Sequence, residues 1–340
     1  MMMQRAWDKT SLLQAPLLIF RALHDKVKEN GGVRMSIKDN FTKALIQEQT
    51  ASGTLLCGYN GNNEYLQKHT SWKELLDGMK EEHKNQYGKG SGGELKEEKG
   101  NPPKMAAFAS SSRFIYTLSA RTNDIPGFKF EEQLPTTVGG VANMDGYQEL
   151  GGKFTFVEAK CREPYSHSIK QAIKRNYKDI YAYLREKMPR VFSCVMEDIP
   201  DALDGKEPQN KMNVVFFCHS RAVGSFDIKQ MISHLLGVAT KFLSMDAPQR
   251  SAVEEIRFLY LLYNPAKLQM ESVNKAELMK IYEETCWCAE HYHFEEMFAH
   301  IVDFLAPIVC PKTSMNELTP IKESFKFKLC DQNTYNNQFE

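Results

Sequence analysis

Between Phe128 and Tyr165 the chain reads FKFEEQLPTTVGGVANMDGYQELGGKFTFVEAKCREPY. Three short runs within it, FKFEEQL, NMDGYQEL and KFTFVEAK, have the composition of β-strands and are separated by Gly- and Pro-containing turns. Strands this close together in sequence meander, each beside the one before. In the last run side chains alternate between two faces. Phe154, Phe156, Glu158 and Lys160 share one face; Thr155, Val157 and Ala159 share the other. The flanking pattern extends the constraint. A helical stretch over 105–122 precedes the meander. A long amphipathic stretch over 166–188 follows it, with Ile169, Ile173, Tyr177, Ile180 and Leu184 as its apolar stripe, and predicts a helix. The apolar strand NVVFFC, the helix FDIKQMISHLLGVATKFL and the apolar strand IRFLYLLY come next. The order α-β-β-β-α-β, then α-β-α, predicts an α/β fold: a mixed sheet flanked by helices, with added helical regions at both ends.

The rest of the 340 residues divides around that core. Residues 1–84 read as an N-terminal helical region, with helices over 11–30, 36–50 and 71–84. Residues 85–104 (NQYGKGSGGELKEEKGNPPK) offer almost nothing to bury and read as a linker. Its GKGSGG has neither a preceding strand nor a closing Lys-Ser/Thr, so it is not a phosphate loop. The core spans 105–265. Residues 266–340 read as a C-terminal helical region and tail, with one long helix from Asn274 to Phe304. No internal repeat is present. A hydrophobic fraction of 42% is enough for an ordinary core, and a net charge of zero leaves any nucleic-acid contact to local clusters. Eight scattered cysteines fit reduced thiols in a cytoplasmic protein. No run approaches the roughly 20 apolar residues of a membrane span, and the N-terminus lacks a clean signal-peptide cleavage site.

The chemistry concentrates on the meander. Glu158 and Lys160 are same-face neighbours at the end of an apolar strand. A carboxylate there can bind a hard cation, and an ammonium beside it can hold an attacking water or offset charge on a phosphorane. Asp145 precedes Glu158 by one turn and one strand, so a hairpin would set the two side by side. Glu131 and Glu132 offer a third acid. Alternation groups Glu132 with Phe128 and Phe130 and favours it; a bulge would reverse the parity in favour of Glu131. The plainer alternatives are an edge-strand ion pair at Glu158 and Lys160, and a simple turn at Asp145-Gly146.

This layout resembles the PD-(D/E)XK nuclease superfamily, the restriction-endonuclease-like fold, over roughly residues 105–220. The resemblance implies a Mg²⁺-dependent deoxyribonuclease, with Mn²⁺ as a substitute. It implies Asp145, Glu158 and the carbonyl of Ala159 as metal ligands, joined by Glu132 or Glu131 as the upstream acid, with Lys160 positioning the water. Met144 stands where the family has Pro. RecB-like members carry Gln-x-x-x-Tyr on the following helix; here Gln171 is followed by Arg175, and Tyr177 comes two residues late, so the restriction-type branch fits better. Cutting both strands would call for a homodimer.

Lys170, Lys174 and Lys178 fall at i, i+4 and i+8 of the predicted helix, with Arg175 alongside and Arg162 nearer the motif. Such a stripe can contact DNA phosphates, or can be a solvated helix face. Cys286, Cys288, His291 and His293 fall within a predicted helix, where Cys at i and i+2 diverge, so the expectation is packing rather than zinc. The alternative to catalysis is a nucleic-acid-binding or interaction module whose acids are structural.

Overall fold

Phe154 and Phe156 on one side and Val157 and Ala159 on the other are all buried. Their strand lies at the centre of a sheet covered on both faces. The computed structural model describes residues 36–49, 56–59, 63–66, 71–89, 93–97, 103–122, 124–166, 168–198 and 210–339. In chain order the helices are α1 (Ile37–Gln49), α2 (Ser71–Asp77), α3 (Glu81–Lys89), α4 (Ser111–Tyr116), α5 (Lys178–Lys187), α6 (Ile228–Leu243), α7 (Ala247–Ser251), α8 (Ser272–His291), α9 (Phe294–Val309) and α10 (Thr319–Ser324). The strands are β1 (Leu56–Tyr59), β2 (Asn63–Leu66), β3 (Lys129–Pro135), β4 (Val141–Leu150), β5 (Lys153–Lys160), β6 (Lys170–Lys174), β7 (Phe192–Asp198), β8 (Lys211–Cys218), β9 (Arg221–Ala222), β10 (Glu255–Leu262) and β11 (Phe325–Cys330). The helix expected over 11–30 lies outside the described residues.

The fold is α/β. Its main sheet has the order β11-β10-β5-β4-β3. The three meander strands pair antiparallel, and β10 lies parallel to both β5 and β11. Strand β10 buries Ile256, Phe258, Tyr260 and Leu262 on one face and Leu259 and Leu261 on the other. This is the near-continuous apolar run expected of a parallel strand with both faces covered. Helices α6 and α9 cover the first face; α1, α3, α4 and α8 contribute to the cluster on the second. The main sheet is built in the order α4-β3-β4-β5-α6-β10; the expected helix over 166–188 and the strand NVVFFC, placed next after the meander by the sequence reading, belong instead to an insertion. A second antiparallel sheet, β6-β8-β7, is inserted between β5 and α6.

Several expectations are corrected. The stretch over 166–188 is not one helix. Residues 170–174 form β6, hydrogen-bonded to β8 with Ile173 opposite Met212, and only 178–187 is helical. KQAIK satisfies both periods, because Ile173 is buried either way; the open edge of β8 decides. The helix over 71–84 is broken at Gly78 into α2 and α3, and α3 runs into the expected linker. There Tyr87 is fully buried and stacks on Phe130 at 5.1 Å. The helix from Asn274 to Phe304 is broken at His293, whose φ is +51°. Residues 266–340 are no appendage: α8, α9 and β11 complete the two cores.

Candidate functional site

Two strand distortions and one helix build the site. Lys160 and Glu158 end the regular strand β5, on the face that carries Phe154 and Phe156. The paired register between β4 and β5 ends with Gly146 opposite Val157, and Asp145 follows where β4 is irregular, since Met144 and Tyr147 on either side face the same core. Asp145 is fixed there because its Oδ2 accepts the Ala159 N–H at 2.7 Å. Gly146 is required beside it: a Cβ would run into the Phe128 ring and Ile115. In β3 the backbone of Glu131 takes φ = +55°. That reverses the alternation, so Phe130 faces one core and Leu134 the other.

The reversal separates the two upstream acids, both of which line a neighbouring hollow and not the one that holds Asp145 and Glu158. Glu131 is buried, and its carboxyl feels Asp145 and Glu158. Glu132, favoured by simple alternation, is half-buried and turned toward Lys241 at 3.9 Å and Tyr147. It is not grouped with the other acids. Asp145, Glu158, Ala159 and Lys160 all line one cleft of about 450 Å³, together with Glu94, Arg162, Glu163 and Gln230.

The electrostatics are those of crowded acids short of positive charge. Burial, then the charges of Asp145, Glu94 and Glu158, push Glu131 up to about 8. Burial and Glu158 hold Asp145 well above its ordinary value. Burial pushes Glu158 up to about 7 against the pull of Lys160. Burial alone would lower Lys160, but Glu158 and Glu163 more than reverse it and keep the ammonium charged. Lys160 Nζ sits 2.5 Å from Glu158 Oε1 and donates to Gln230 Oε1 at 2.6 Å. His234 Nδ1 stands 3.2 Å from Glu158 Oε2. Burial, then Lys160, lowers His234 to about 3, so this ring is neutral. Neither Glu158 oxygen makes a hydrogen bond of good geometry, and neither does His234 Nδ1.

Among the described residues, no three His, Cys, Asp or Glu side chains already stand grouped as a complete metal site. The donor set that fits a hard cation is smaller: Asp145 and Glu158, with the Ala159 carbonyl between them. A hard cation would give these buried carboxylates positive charge beyond the single ammonium of Lys160.

Four residues at this site were not legible as such in the sequence. Glu94, in the expected linker, is buried, accepts from Ser112 Oγ at 2.9 Å and from Lys104 at 3.2 Å. Glu163 accepts the N–H groups of Cys161 and Arg162 and the Ser111 hydroxyl. Gln230 and His234 lie one turn apart on α6 and meet the Glu158–Lys160 pair from above the sheet. Their signal was present as two polar residues in the apolar run of FDIKQMISHLLG.

The basic residues are not brought into one stripe. Lys170 and Lys174 lie on β6, Arg175 in the turn after it, and Lys178 opens α5. Lys170 pairs with Glu197 at 2.7 Å on the surface. Gln171 also lies on β6. The helix that follows the meander and packs on its sheet is α6, which carries Gln230 and His234 at the Gln-x-x-x-Tyr spacing with His in the last place. The argument for the restriction-type branch drawn from residues 171–177 therefore does not hold. No helix among the described residues is long and apolar enough to cross a membrane. No protein-family model matches the chain, and neither a curated protein nor a solved structure gives a significant match to it.

Proposed function

We propose that the chain is a metal-dependent nuclease that hydrolyses phosphodiester bonds, of the PD-(D/E)XK kind. One observation carries the reading: Asp145, Glu158 and Lys160, from two strands, line a single cleft in which Glu158 is buried, with Lys160 Nζ at 2.5 Å and His234 Nδ1 at 3.2 Å from its oxygens. The core order α-β-β-β-α-β, with β5 ending in Glu-Ala-Lys, supports it. Asp145, Glu158 and the Ala159 carbonyl would hold Mg²⁺ or Mn²⁺, with Glu131 nearby as the upstream acid. The bound cation would lower the pKa of a water molecule and neutralise phosphate charge.

The chain's own residues then have distinct tasks. Lys160, clamped by Glu158 and Gln230, presents a fixed ammonium to the attacking water or to the non-bridging oxygens of the phosphate. The water oxygen bonds to phosphorus as its proton passes to bulk solvent. The P–O ester bond opposite breaks, and the leaving oxygen takes a proton from solvent. A single site nicks; two, as in a homodimer, would be needed to cut both strands of a duplex.

The test is cleavage of supercoiled plasmid and of a single-stranded oligonucleotide in Mg²⁺. Asp145→Asn and Lys160→Met are each expected to reduce the rate at least about 100-fold while the thermal melt stays cooperative. Undiminished cleavage by both folded variants would refute the assignment. The second reading, a nucleic-acid-binding module without catalysis, draws on the Lys160–Glu158 ion pair, which satisfies the lysine internally. Binding in EDTA with no cleavage in any divalent metal would favour it.

A further inference from the structure

The cleft over Glu158 does not end at Lys160. Lys160 and Glu163 also line a second hollow of about 440 Å³, and Lys229 and Asp227 join that one to a third of about 420 Å³. The three hollows lie next to one another, sharing these residues, between α6 and the inserted β6–β8 strands, and are taken together as one groove. Lys170, Lys174, Lys211 and Lys229 line its outer part. The two carboxylates there are already occupied: Glu163 by the hydrogen bonds described above, and Asp227 by the Gln230 N–H at 3.0 Å. Lys174 and Lys211 are exposed and face each other directly across β6 and β8. Like charges in that position repel, and among the described residues no ion pair to an acid is formed by either lysine. The buried Ser225 hydroxyl lines the second hollow without a hydrogen-bond partner. Tyr177, half-buried, lines the third.

We infer that this groove binds a single-stranded polynucleotide and delivers its backbone to the recessed acids. The inference rests on the nuclease reading of the cleft and names its substrate. A lysine-lined groove tracks phosphates, and a half-exposed tyrosine ring offers a base a stacking face. The choice of one strand over two follows from depth. Glu158 is 2% exposed and Lys160 6% exposed. A paired duplex is stiff and cannot push one phosphodiester into so closed a cleft without unpairing, whereas a free strand bends at every nucleotide.

The experiment measures fluorescence anisotropy of a labelled oligonucleotide with the full chain in EDTA, so that cleavage plays no part. Single-stranded DNA, single-stranded RNA and duplex DNA of one sequence are compared at several salt concentrations. At least one single strand is expected to bind about 10-fold or more tighter than the duplex, and the DNA and RNA arms identify which sugar is preferred. Lys174→Gln with Lys211→Gln should weaken single-strand binding about 10-fold and reduce the salt slope by about 1.4. The same double variant should melt no lower than the wild type, because it removes a repulsion. If it fails to fold, Lys229→Gln serves, with the same fall in affinity expected. Equal or tighter duplex binding, or single-strand affinity within twofold of wild type in the folded variant, would overturn the inference. A chain that cleaves yet shows either result keeps its nuclease reading; a chain that binds single strands yet never cleaves loses that reading and keeps the groove.

Discussion

Glu131 carries two unfavourable features at once. Its backbone is left-handed, which costs a non-glycine residue roughly 1 kcal/mol. Its carboxyl is buried among other acids and pushed up to about 8. Strain of this kind persists where the surroundings impose it, often at working sites. The proton balance gives a test. The unfolded Glu131 releases its proton near pH 4.5, whereas the folded one keeps it until about 8. Between those values the folded state binds more protons, so stability falls as pH rises. Glu131→Gln removes that loss. The variant is expected to melt several degrees above wild type at pH 8.5 and near it at pH 5, with Mg²⁺ narrowing the gap by stabilising the wild type. Equal melting curves at pH 8.5 would contradict the burial described. The same residue shows where sequence reading stops. Glu158 and Lys160 were legible because β5 is regular and alternation holds to its end. Glu131 was not, because one φ angle flips the parity and no glycine in FKFEEQL marks the place.

Among the elements, α6 sets the ceiling of the site. Asp227 caps its first turn, and Gln230 and His234 follow on the face over β5. Its position depends on Gly237, where the helix lies so close to the sheet that a Cβ would sit 2.8 Å from Leu134 Cβ and 3.1 Å from Ala142 Cβ. Gly237→Val must therefore push α6 away from β3 and β4. Overpacking of this kind costs about 1–3 kcal/mol. It should also lower cleavage, because Gln230 loses its hold on Lys160. Thermal melts and cleavage rates read both effects together, and an unchanged melt would mean that the helix does not rest on Gly237. The helix itself was plain in the sequence from its apolar period. Strand β6 was not, since five residues with one buried isoleucine fit either element, and the deciding partner, β8, comes some forty residues later in the chain.

At the scale of the whole molecule, the C-terminal end of the described chain closes the main sheet. The meander strands, α6 and β10 were each legible because each carries its own period; which helix and strand follow the meander in the main sheet was not, because β6 hides in a helical pattern and opens an insertion. The closing strand β11 was not legible: FKFKLC is short, both its exposed positions are lysine, and its partner β10 lies far back in the sequence. Yet the closing segment is anchored in the core. Phe325 and Tyr335 are almost wholly covered, Tyr335 shares a 2.8 Å hydrogen bond with Ser119, and Arg257 donates to the Gln338 carbonyl. A chain ending at Ser324 would leave the apolar β10 as an open edge beside the acid-bearing β5. Open apolar edges pair with other chains. Truncation there is expected to abolish the cooperative melt and to yield aggregate, detected by circular dichroism and light scattering. A truncated chain that stayed monomeric and melted normally would show that β11 and the following residues only cover the sheet. Loss of folding would show instead that these residues, far from the acids in sequence, fix the strand on which β5 and its site depend.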